Sequence, residues 1–323
     1  MIVHRSRQRL CCTALVFLTF QFLAQGNDGW EGRIFSLKWE NDAVDGTDKH
    51  YTQGARLEYF SSDNSLPNWL KAFSDVLPAI GYDMQAQKFG LGVAQEIYTP
   101  EDLTNSVLVL NDRPYAGWLY GRALLQRRGP GPLGTMARET LRLDLGVIGP
   151  ESLAEATQKE WHNKSPEGWE HQLRTEIAFE LNYRRDYLAA FRMKDGPWGV
   201  DLIPHFGGSA GTVAIYANIG TTARLGYNMP NEFATGSSPE MWGGYLFVGV
   251  DGRAILRNIF LDGNTFVSSH SVRKEPVVGD FIAGMTFVFK AVEITVSHTI
   301  RAREFKSESS TDSFASATLV VKF

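Results

Sequence analysis

The sequence predicts an all-β chain: a closed antiparallel transmembrane β-barrel of about twelve strands with short helical inserts in its loops. Three observations carry this. Apolar residues alternate in segments of about ten residues, the length of a tilted strand that crosses a bilayer. The opposite faces are polar, charged or glycine, as the lumen of a barrel is, rather than a second apolar layer. The chain also ends inside such a strand, with Ala315, Ala317, Leu319, Val321 and terminal Phe323 on one face and Ser316, Thr318 and Lys322 on the other. A soluble β-sandwich produces the same period of two, so alternation alone does not choose between them.

The order of elements begins with a removable leader, residues 1–26. Arg5, Arg7 and Arg9 precede a mostly apolar run from Leu10 to Phe22, and Ala24-Gln25-Gly26 supplies small residues for cleavage. The run is short for a membrane span. Both cysteines, Cys11 and Cys12, fall inside the leader, so the exported chain has none and must be held by a core or by a closed sheet. Removing the leader takes away three positive charges and no negative ones, and the net charge goes from −4 to −7. That balance argues against nucleic acid as a partner. The mature chain, 27–323, shows no internal repeat or linker and reads as one barrel domain.

Strands are expected at 33–41, 52–60, 87–97, 115–127, 136–148, 173–185, 199–208, 212–224, 243–261, 277–290, 291–303 and 313–323. Phe89, Leu91, Val93 and Ile97 share a face, as do Leu141, Leu143, Leu145 and Val147, and Phe281, Met285, Phe287 and Phe289. Tight connections are expected at 207–211 and near Lys290-Ala291. Long and short loops are expected to alternate, short ones on the periplasmic side. A helical insert is expected at 66–77. The aromatic stretch Tyr115 to Tyr120 reads as a membrane-interface belt.

Two loops stand out. The stretch 37–59 gathers Glu40, Asn41, Asp42, Asp45 and Asp48, an oxygen-rich set that suits a hard cation or simply a hairpin turn. His50 lies in the same loop with no assigned role. The stretch 149–172 carries Pro150, then Ser152 and Glu155 at capping-box spacing, then helix-favouring residues. On a helix Gln158 and His162 share one face, and a histidine is the usual carrier of protons near neutral pH. Arg113 is positioned to meet an anionic ligand. No Gly-x-Ser-x-Gly elbow, phosphate loop, His-Glu-x-x-His helix or paired cysteine ligands are present.

Taken together, Glu40-Asn41-Asp42, Asp48-x-x-Tyr51-Thr52-x-Gly54, Pro114-Tyr115-Ala116-Gly117-Trp118, Gly149-Pro150, Gln158-x-x-x-His162 and Gly168-Trp169-x-x-Gln172 resemble the lipid A 3'-O-deacylase family of Gram-negative outer membranes. The resemblance runs in order over most of the mature chain. It implies a twelve-stranded barrel in the outer membrane, contacts with membrane lipids, and calcium-dependent hydrolysis of the ester holding the 3'-linked acyloxyacyl chain of lipid A. It further implies His162 as the base that activates water, Asn41, Thr52 and Gln158 as its catalytic companions, and Asp42 as a calcium ligand. Asp112-Arg113 departs from the lysine-rich loop of some members. A monomer is expected. A non-catalytic barrel (a channel or an adhesion protein) and an outer-membrane phospholipase are the alternatives.

Overall fold

A computed structural model describes residues 32–42, 50–161, 166–192, 196–230 and 242–323. The expected leader lies outside them, as does His162. The strands are β1 (Ile34–Asn41), β2 (His50–Phe60), β3 (Ala86–Thr99), β4 (Ala116–Pro130), β5 (Met136–Ile148), β6 (Glu176–Arg192), β7 (Trp198–Gly211), β8 (Ala214–Tyr227), β9 (Trp242–Asn258), β10 (Val277–Phe289), β11 (Val292–Arg301) and β12 (Asp312–Lys322). Each pairs antiparallel with its sequence neighbour, and β1 also pairs with β12, from Ile34 opposite Lys322 to Asn41 opposite Ala315. The sheet therefore closes with no free edge, the one way a β-structure can satisfy its backbone inside lipid. No helix among the described residues is long and apolar enough to cross a membrane.

The period of two sorts the side chains as the sequence requires. Phe35, Leu37 and Trp39 of β1, Leu91 and Val93 of β3, Leu143 and Leu145 of β5, and Phe281, Met285, Phe287 and Phe289 of β10 are all exposed on the outside of the cylinder. These bare apolar residues form the belt that lipid covers. The residues between them face inward and pair by charge. Arg122 bonds Asp144 through Nε at 2.7 Å and Nη2 at 2.8 Å, and reaches Glu58 at 3.0 Å. Arg301 and Arg253 share Asp280 at 3.0 and 2.8 Å. A cavity of about 230 Å³ remains between such residues.

Three expectations are corrected. Trp118 and Tyr120 are not an interface belt. Both are buried, stacked with ring centroids 3.9 Å apart, and they line the lumen with Tyr98 and Phe260, because their parity in β4 is that of Arg122. The glycine-rich 207–211 is no turn but the end of β7, and the turn is 212–213. Nor do loops alternate cleanly in length. The connection 61–85 is long although it lies at the rim where β1 begins and β12 ends. It carries the helix α1 (Asn68–Val76), whose Ser74 bonds Gln87 while Trp69 and Phe73 remain exposed. Most of the long loops nevertheless emerge at the opposite, distal rim, as extracellular loops do.

Candidate functional site

The first half of the site lies at the distal end of β1 and β2. Asn41 follows Trp39 on the outward face, but unlike Trp39 it is buried, and its Nδ2 donates to the Thr52 carbonyl at 3.2 Å. Asp42, next in the chain, is 1% exposed. A β-bulge between Tyr51 and Gln53 adds one residue to β2. It lets Tyr51 turn inward against Glu40 while Thr52 meets Thr99 of β3, hydroxyl to hydroxyl at 2.7 Å. Glu40, the other acid of this strand end, faces the lumen, where Lys38, Tyr51 and Ser316 hold it.

The second half arrives from the loop between β5 and β6. After a single 3₁₀ turn at Pro150–Ser152 the chain forms α2 (Ala154–Trp161). This helix packs on the outside of the wall, over β3 and β4. Gly117 makes that possible: a Cβ there would lie 2.1 Å from Ser152 Oγ and 2.2 Å from the Ala154 Cβ. Gln95, on the outward face of β3, donates to the Ser152 carbonyl at 2.6 Å. Ile97, Tyr115, Ala154 and Trp169 form a separate apolar cluster between helix and wall. Gln158 is fully buried; its Oε1 accepts from Trp169 Nε1 at 2.8 Å, and its Nε2 has no hydrogen-bond partner among the described residues. The return of the loop depends on Gly168 at φ +91°, where a side chain would be strained and would meet the Asn105 carbonyl.

Asn41, Asp42, Thr52 and Gln158 thus come to the same rim, with Asn41 at the outward-facing end of β1 and Gln158 on α2, which packs on the outside of β3 and β4. His162 would follow directly from this helix but lies outside the described residues. Arg113 is placed differently from these four. It is buried, its Nη1 donates to Glu304 at 3.1 Å, and its guanidinium stacks over Tyr98 at 4.8 Å. Burial pushes Glu304 up, but Arg301 and Arg113 outweigh it and hold the carboxyl at about 2.

Sequence reasoning passed over His50. It is fully buried at the start of β2 and, with Glu308 and Asp312, forms a group whose potential ligand atoms all lie within 4.8 Å of one another. A third carboxylate, Asp112, faces the same ring. Burial raises Asp112, yet hydrogen bonds from His50 and from the backbone N–H groups of Glu101 and Arg113 hold it below the usual range. The signal was faint: one histidine in an acidic loop, with its partners more than 250 residues away.

A closed barrel with an apolar outer belt and a charge-paired lumen is the architecture of an outer-membrane protein. Residues 10–323 match the family described as Outer membrane protein LpxR. The chain belongs to the LpxR family and resides in the Gram-negative outer membrane. The structure of LpxR from Salmonella typhimurium superposes with a TM-score of 0.71 at 18% identity, over 90% of this chain and 100% of that one. Looser likenesses include the β-domain of the Bordetella autotransporter BrkA, with a TM-score of 0.47 at 9% identity over 91% of this chain and 100% of that one. No individually curated protein matches the sequence.

Proposed function

We propose that this barrel hydrolyses the 3'-O-linked acyloxyacyl ester of lipid A in a calcium-dependent reaction at the outer-wall site. The observation that supports this reading is a loop helix, α2, packed on the outward face of β3 and β4 with Gln158 buried in it, at the same rim as the buried Asn41, Asp42 and Thr52. Polar groups on the outward face of a barrel have no place against lipid, and here Asn41 and Thr52 are buried at the strand ends of a rim that also carries a loop helix with its own buried amide. A lipid substrate reaches that face from the leaflet without entering the lumen.

Chemically, His162 takes a proton from water, the oxygen attacks the ester carbonyl carbon, and the resulting oxyanion collapses with cleavage of the acyl C–O bond. The same histidine returns the proton to the departing sugar hydroxyl, leaving a free fatty acid. Gln158 Nε2 and the Thr52 hydroxyl are donors for the carbonyl oxygen or the water, and Asn41 fixes the strand end through its bond to the Thr52 carbonyl. Asp42 offers a buried carboxylate, an oxygen donor of the kind that fits a hard cation such as calcium. Asp42 would hold the ion; Glu40 would not, because it is engaged in the lumen. When bound, calcium supplies positive charge where the oxyanion develops.

The test is mass spectrometry of lipid A from cells expressing the wild type or His162→Ala. Loss of the 3' acyloxyacyl mass in the wild type alone supports the reading. Unchanged acylation in both, with inserted protein, would sink it. Labelled glycerophospholipid in the same assay separates a phospholipase from a lipid A deacylase.

A further inference from the structure

The distal rim holds a polar cluster that the deacylase chemistry does not use. β1 stops at Asn41, so beyond it the first residues of β2 and β12 approach each other directly. His50 fills that gap. Its Nδ1 lies 2.7 and 2.8 Å from the two oxygens of Asp312 and 3.3 Å from Glu308 Oε1. Its Nε2 faces Asp112 Oδ1 at 3.5 Å. The Phe305 ring closes one side, edge-on at 5.3 Å. Glu308 is held rigidly, because its Oε2 accepts from the backbone N–H groups of Glu304 and Phe305. Its Oε1, buried and aimed at the cluster, has no hydrogen-bond partner among the described residues.

Charge is the first argument. Among the described residues, the ion-pair partner of Asp112, Glu308 and Asp312 is His50 in each case, and no other cation meets them. Even an imidazolium would leave two of these buried negative charges without a cation among the described residues. The lumen of this protein does not tolerate that: Asp144 and Asp280 each meet guanidinium groups. Burying unmatched charge is among the costliest arrangements a fold can hold.

Geometry is the second argument, and it is independent of the first. In a tetrahedral site with metal–ligand bonds of about 2.0–2.1 Å the ligands stand about 3.3 Å apart; Nδ1 and Glu308 Oε1 are 3.3 Å apart, whereas Asp312, at 2.7 and 2.8 Å from Nδ1, hydrogen-bonds it directly and would draw back by about half an ångström to admit the ion. Asp312 presents both oxygens to the same point. The other ring nitrogen points at a carboxylate, the arrangement that fixes the tautomer and orientation of a metal-bound histidine. A mixed nitrogen and carboxylate set suits zinc-class ions rather than the oxygen-only preference of calcium.

We propose that His50, Glu308 and Asp312 bind a zinc-class divalent cation, with Asp112 positioning His50, and that the ion clasps the outer ends of β2 and β12 to the loop between β11 and β12. The proposal stands on the rim alone and is separate from the deacylase reading.

The experiment uses the full chain purified in detergent, stripped with a chelator, then given Zn²⁺ alone or Ca²⁺ alone and desalted. Elemental analysis is expected to find one zinc per chain, and zinc but not calcium raises the temperature at which the barrel loses its heat-modifiable gel mobility. Glu308→Gln and His50→Asn abolish zinc retention. Asp112→Asn keeps the stoichiometry and weakens affinity by about 10–100-fold. Asp42→Asn binds zinc like the wild type. The folded gel form of each variant is checked, and the wild-type stoichiometry decides independently of any variant. A wild type without zinc overturns the proposal, as does zinc that survives Glu308→Gln or is lost with Asp42→Asn. None of these readouts depends on lipid A turnover, so failure of the clasp and failure of the deacylase reading are distinguishable.

Discussion

In the lumen, Arg122 grips Asp144 with two hydrogen bonds and Glu58 with a third. On the outer wall, Thr52 meets another hydroxyl, Asn41 meets a backbone carbonyl, and Gln158 accepts from an indole. The lumen is polar because water and charge fill it, and its groups are already matched. The wall site is polar in a place where the neighbouring strands are bare to lipid, and a helix covers the adjoining ends of β3 and β4. The comparison teaches that volume is a poor guide to chemistry here. The cavity of about 230 Å³ belongs to the lumen, whereas the proposed substrate site lies on the other side of the wall.

The comparison breaks most visibly if the lumen is altered. Arg122→Met leaves Asp144 to Arg142 alone and takes the guanidinium from Glu58, and should cost about 3–5 kcal/mol of stability in denaturant unfolding. Turnover per folded molecule should hold, and a collapse of turnover with stability intact would move the site into the lumen. On the wall, Asp42→Ala should cost about a hundredfold or more in deacylation rate while the barrel inserts normally; it is read in membranes with matched protein levels. Gly117→Ala sharpens the role of the cover. Its Cβ collides with Ser152 and Ala154 and should lift α2, lowering the rate by up to about a hundredfold for a displacement near 1 Å. Pairing it with Ala154→Gly should restore part of the loss. Gln158→Leu orphans the buried Trp169 N–H, an effect of about 1–3 kcal/mol that tryptophan fluorescence and amide exchange of the loop would report. Smallest of all, Lys159→Ala removes an exposed pair with Glu155 and should change helix stability by about 0.3–0.5 kcal/mol, with no change in rate.

The barrel was legible because a period of two is a local property. Leu91 and Val93, or Phe281 and Phe287, declare their face from their own neighbours, and strand bounds agree to within about three residues except at β6, which runs seven residues past its expected end. The direction of a face is not local. Trp118 and Tyr120 read as interface aromatics until their register with Arg122 placed them inside. The bulge that joins Thr52 to Thr99 leaves no mark in composition, since it inserts one ordinary residue. Asn41, Asp42, Thr52 and Gln158 could be named in advance through motif resemblance, but their common location depends on Gly117, whose missing side chain is informative only once the helix above it is known. His50 was the hardest to see, because its ligand-like neighbours come from the opposite end of the chain.

That separation has a consequence for when the protein can act. Asn41 lies beside Ala315 across the seam between the first strand and the last, and His50 meets Asp312 across 262 residues. Until the last strand is stitched to the first, neither the strand end carrying Asn41 and Asp42 nor the rim cluster has its frame. On the deacylase reading, a chain whose ring has not closed has no assembled site. Closure of the ring is the final act of assembly and also the moment of ignition, and the lipid it would modify is met only by a finished molecule.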